Sequence, residues 1–119
     1  MSANMIITNN PDVVGKYPGL ARYIPGSVGD VFKAVRDAVH KGAQVISHPL
    51  SGSVKPNESP YKSVAVTGVT GPVDFKSLQI IEDAISALAR MPGNTRSYDE
   101  SVLADFRIID LDLINSAQI

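Results

Sequence analysis

Three polar segments hold the residues best equipped for chemistry, and each follows an apolar run. Thr8-Asn9-Asn10 follows Met5-Ile6-Ile7, His48 through Lys62 follows Gln44-Val45-Ile46-Ser47, and Thr67 through Gly71 follows Ser63-Val64-Ala65-Val66. The middle segment carries one imidazole, three serine hydroxyls, two ammonium groups and a glycine that permits close backbone approach. Loops longer than about 12–15 residues are uncommon in compact domains and are often functional. Its three prolines favour a fixed shape by restricting the unfolded chain. Such groups suit an anion or a carboxylate. The candidate ligand- or partner-binding residues are therefore Asn9, Asn10, His48, Ser51, Ser53, Lys55, Asn57, Tyr61, Lys62 and Thr67. The competing reading is a structural or protein-docking loop, because Pro, Gly, Ser and Asn are also what turns require.

Other chemistry finds less support. Thr67-Gly68-Val69-Thr70-Gly71 enters a helix, but its spacing matches neither phosphate-binding glycine signature, and Asp74 would cap the helix itself. No nucleophile–base–orienter set can be named. His40 and His48 cannot define a metal site alone, and His40 reads as a favourable charge at a helix end. Glu82 and Asp83 read as a solvated face, as do Asp105, Asp110 and Asp112. The chain has no Cys, which excludes disulfides, thiolate nucleophiles and zinc-thiolate sites. No cofactor or metal is expected.

The elements that position these residues follow from periodicity. Met5 to Thr8 reads as a buried strand, residues 11–19 as a Pro- and Gly-rich loop, and Leu20 to Ile24 as a second short strand. Ser27 with Asp30 forms an aspartate version of the capping box, followed by Val28, Val31, Phe32, Val35, Ala38 and Val39 at helical spacing. Gly42 closes that helix. Strands are expected at Gln44–Ser47 and Ser63–Thr67, and a helix from about Asp74 to Arg90. A last helix is expected from about Asp99 to Ser116, its core face Val102, Phe106, Ile109 and Leu113.

On that helix Ile108 and Leu111 are expected on roughly the opposite side. Two arrangements stay open: a symmetric homodimer through the C-terminal helix, or a helix sandwiched within its own domain. The expected fold is α/β: a single-domain sandwich over residues 1–119, with a small, mostly parallel sheet covered by about three helices. Parallel strands would gather the three polar segments at one sheet edge, where α/β ligands bind.

Composition narrows the partners. The 119 residues carry 11 basic and 12 acidic groups, for a net charge of −1. No basic stripe is present to neutralise phosphates, and seven aromatics (four Tyr, three Phe) offer little stacking, so nucleic acid is not an expected partner. No apolar run approaches a membrane span, and the start of the chain lacks a signal-peptide pattern. No membrane association is expected, and the expected location is cytoplasmic.

The segments Ile6-Ile7-Thr8-Asn9-Asn10-Pro11, His48 through Asn57, and Pro60-Tyr61-Lys62-Ser63 resemble the GrdX family. Its members are of similar length and occur beside glycine, sarcosine or betaine reductase components in anaerobic amino-acid fermenters. The resemblance implies an accessory role, binding or assisting a component of a glycine-type amino-acid reductase. It transfers no catalytic residue, and the missing Cys fits an accessory role better than an electron-carrying one. The alternative is a small-ligand domain, or an enzyme on a carboxylate or phosphate, using the 48–62 loop.

Overall fold

The computed structural model describes residues 4–51, 57–68, 70–93 and 96–117. They form β1 (Asn4–Thr8), α1 (Pro11–Lys16), β2 (Ala21–Tyr23), α2 (Val28–His40), β3 (Ser63–Thr67), α3 (Phe75–Arg90) and α4 (Glu100–Ser116). The class is α/β as expected, but the sheet is mixed rather than mostly parallel, and four helices cover it rather than about three. Its order is β2-β1-β3, with β1–β2 parallel and β1–β3 antiparallel. The reason lies in the connections: α1 carries the chain back for a parallel β2, whereas among the described residues between 41 and 62 there is no helix. That stretch delivers Ser63 to the Thr8 end of β1, so β3 runs the other way.

Successive strand residues face opposite layers. Ile7, Val64 and Val66 pack with Val31, Phe32, Val35 and Val39 of α2 and Ile81 and Ala84 of α3. Ile6 and Ala65 face the other way, against Val13 of α1 and Ile114 of α4, with Tyr17, Ala21 and Leu111 around them. Phe32 is fully buried in the larger core, a burial that stabilises by about 1.5–3 kcal/mol.

Four local readings change. Residues 11–16 are helical, not loop: Asn10 caps the helix by accepting from the Asp12 N–H, and Pro11 occupies the first turn, where a missing N–H costs nothing. Gln44–Ser47 makes one bridge, Val45 to Val66, rather than a strand. There the Ser47 hydroxyl, not a backbone carbonyl, accepts from the Ala65 N–H (2.8 Å), and the ladder stops.

The stripe Val102, Phe106, Ile109 and Leu113 is not the core face of α4, since its buried residues are Asp110 and Ile114. Leu111 packs on the second core while Ile108 is 52% exposed, so those two do not share an outward face. Among the described residues, no helix is long and apolar enough to cross a membrane.

Candidate functional site

The carboxyl end of β1 ends in a buried polar knot. Asp110 of α4, only 5% exposed, does not face water as its sequence pattern suggested. Its Oδ1 accepts from the Ser63 N–H (3.0 Å), and its Oδ2 accepts from the Ser63 hydroxyl (2.7 Å) and the Asn10 side-chain amide (3.1 Å). An ionised carboxylate only accepts. The Ser63 proton therefore points to Asp110, and the Thr8 hydroxyl, 2.7 Å from Ser63 Oγ, donates to that oxygen. The Asn10 N–H in turn donates to Thr8 Oγ1 (2.9 Å). Asn10 Nδ2 also donates to the Arg107 carbonyl (2.9 Å), so one amide ties β1, α1 and α4 together.

Asn9 is equally committed. Its Nδ2 donates to the carbonyls of Gly26 (2.9 Å) and Pro60 (2.8 Å), and its Oδ1 accepts from the Lys62 N–H (2.8 Å). It fastens the turn before α2 and the approach to β3 onto the end of β1. Lys62 is 7% exposed, with its ammonium donating to the Ser51 carbonyl (2.9 Å). Burial pulls its pKa down, partly opposed by the charge of Asp110. Burial pushes the Asp110 pKa up, opposed by its hydrogen bonds from Ser63 and Asn10 and by Lys62.

The remaining nominated residues scatter. Tyr61 accepts a hydrogen bond from Arg107 Nη1 (3.0 Å); the guanidinium carbon lies 5.5 Å from the centre of its ring, while Nη2 pairs with Glu100 and Nε with Asp12. His48 is exposed, and its Nδ1 accepts from the Leu50 N–H (3.1 Å) within its own turn. Thr67 sits at the Asn4 end of the sheet, away from Asn9 and Asn10, because β3 is antiparallel; its hydroxyl accepts from the Gln44 N–H (2.9 Å). Asn57 donates to the Pro92 carbonyl (3.1 Å). Ser53 and Lys55 lie outside the described residues.

A surface groove of about 660 Å³ lies elsewhere, between four segments. Gly26–Gly29 at the start of α2 form one wall and Asn57–Pro60 another. Leu88, Met91, Pro92 and Gly93 close the α3 end, and Arg96, Ser97, Tyr98 and Leu103 lead into α4. Tyr98 spans it, donating to the Glu58 carbonyl (3.0 Å) while its ring meets Phe106 edge-on at 5.2 Å. Of the candidate residues that are described, only Asn57 lines it. Met91, Pro92, Tyr98 and Leu103 were not nominated, and Pro92-Gly93 reads in sequence merely as a helix break. The α2 N-terminus offers little to an anion. Asp30 Oδ2 accepts from the Ser27 N–H (2.9 Å), Ser27 Oγ accepts from the Asp30 N–H (3.2 Å), and the aspartate brings negative charge to that end.

The titrating groups set an expected pH profile. Hydrogen bonds from the Ser27 backbone and side chain hold the Asp30 pKa down, and those from Ser101 and Val102 do so for Asp99. A depressed carboxylate contributes stability above its unfolded value, near 3.9, and loses it as pH falls through the folded value. Asp110 has the opposite sign: its raised pKa means its contribution grows as pH falls toward that unfolded value. The acid loss of stability below about pH 4 should therefore shrink in Asp30→Asn/Asp99→Asn, measured by urea unfolding across pH. Equal acid slopes in the two proteins would refute this assignment.

A family model described as GrdX-like protein matches residues 5–118. No curated protein and no solved structure matches the chain.

Proposed function

The chain belongs to the GrdX-like family, and on that premise we propose that it is an accessory protein that docks a component of a glycine-type amino-acid reductase in the groove beside α2. The family resemblance supplies the reductase association. The observation that carries the docking reading is the groove itself, whose walls include Asn57–Pro60 from the distinctive loop. Its apolar lining from Val28, Leu88, Met91, Pro92 and Leu103, edged by polar groups, suits a protein segment better than a compact anion. The buried acid, amine and amides around β1 are committed to the fold, so the groove is where binding chemistry stays open.

Gly29 provides the test. A Cβ there would meet Ser27 Oγ at 3.5 Å and Leu88 Cδ2 at 3.7 Å, ordinary contacts, so Gly29→Gln fills the groove without removing a structural bond. Purified components of glycine, sarcosine and betaine reductases would be titrated against both proteins by biolayer interferometry. At least one component should bind the wild type, and Gly29→Gln should weaken it by about tenfold or more. No binding by any component, or unchanged binding of the variant, would overturn the proposal.

A further inference from the structure

The most apolar stripe of α4 is not the side that faces the core. Val102, Phe106, Ile109 and Leu113 are spaced four, three and four residues apart, the pattern of a coiled-coil seam. None of the four packs against either core cluster among the described residues; Val102, Phe106 and Leu113 are half-buried and Ile109 is 39% exposed. Phe106 instead meets Tyr98. The helix is fastened about a third of a turn away, by Asp110, Leu111 and Ile114, and so leaves the seam on its shoulder.

The charges beside the seam restrict what can cover it. Asp105 and Asp112 are seven residues apart, hence at the same heptad position, and both are exposed. The only basic residue of α4, Arg107, is engaged with Glu100, Asp12 and Tyr61. A second copy would bring its own Asp105 and Asp112 against these, a like-charge juxtaposition.

We propose that this face of α4 docks an amphipathic helix of a partner protein, with an apolar seam of matching period flanked by Lys or Arg. The seam is about 17 Å long, so the contact is small and exchangeable rather than obligate. The inference does not depend on the reductase reading, since a synthetic helix tests it.

Two peptides sharing one Leu/Ile heptad seam would be titrated against the full chain by fluorescence anisotropy, one with Lys at the flanking positions and one with Glu. The Lys peptide should bind the wild type about tenfold or more tighter than the Glu peptide. Asp105→Lys/Asp112→Lys should reverse that order, which general stickiness would not do. Ile109→Ser should weaken both peptides while leaving the melting temperature in place. Equal affinity for the two peptides would overturn the proposal, and so would an unreversed order or a collapse in stability in Ile109→Ser. A wild-type dimer by light scattering that Ile109→Ser dissociates would also overturn it, by making a second copy the occupant.

Discussion

Asp110→Ala lowers the melting temperature by about 10 °C or more, because three donors aimed at one buried carboxylate lose their acceptor together. Removing the carboxylate has two opposing consequences. It abolishes the cost of burying a charge, which the raised pKa of Asp110 reports. It also strands the Ser63 N–H, the Ser63 hydroxyl and one Asn10 amide proton in a space that water does not reach. An unsatisfied buried donor costs about 1–3 kcal/mol, and more when its lost partner was charged. The hydroxyl can turn toward Thr8 and Asn10 keeps the Arg107 carbonyl, so the Ser63 N–H bears the largest penalty. The net loss is about 3 kcal/mol.

Asp110→Asn is expected to fall between, at about 1–2 kcal/mol. Its oxygen can still accept from the Ser63 N–H, but its amide then faces the Asn10 amide, donor against donor. Circular dichroism melts rank the three proteins. A melting temperature for Asp110→Ala within about 2 °C of wild type would mean that the knot is not what fastens α4.

Gly42→Ala is the second severe substitution, for a steric rather than a polar reason. Gly42 follows α2 with φ at +110°, where a side chain is strained. A Cβ there would sit 2.3 Å from the Gly71 nitrogen and 2.7 Å from its carbonyl oxygen. Both are backbone atoms, so no side chain can swing aside. Relieving the clash moves the turn before α3 and breaks the Gly71 N–H bond to the Lys41 carbonyl (2.8 Å). Strain and clash together cost about 3 kcal/mol or more. Gly93→Ala is the control, because nothing lies within 4 Å of a Cβ there, and it should change stability by less than about 0.5 kcal/mol. Equal denaturant midpoints for the two variants would contradict the close approach of the two backbones.

These two sites mark where sequence reasoning reaches and where it stops. The capping box of α2, the strands β1 and β3, and the Asp74 cap of α3 are local signals, legible because each depends on residues a few positions apart. Gly42 was readable as a helix stop, but its contact with Gly71 was not, since nothing local joins those positions. Residues 11–19 read as a loop, yet 11–16 are helical, because the Asn10-Pro11 dipeptide that punctuates a strand also starts a helix. The register of α4 was misread because apolar periodicity assigned the core face to Val102, Phe106, Ile109 and Leu113, whereas the helix docks through Asp110. A buried aspartate is invisible in sequence until its donors are known, and these come from residues 47 and 100 positions away. Thr67 was grouped with Asn10 on the assumption of parallel strands, which antiparallel β3 does not satisfy. The groove is not legible in the sequence because its lining comes from four segments, several of which resemble ordinary turns.

Under the proposed function Thr8, Asn9 and Asn10 serve the fold, and binding takes place in the groove beside α2. Backbone amide NMR shifts, followed as a purified reductase component is titrated into the labelled chain, test it most directly. Shifts are expected at Gly26–Gly29, Asn57–Ser59 and Ser97–Tyr98, with Thr8, Asn9, Asn10 and Ser63 unmoved. Shifts concentrated at Thr8 through Asn10 and Ser63, with the groove amides silent, would contradict it.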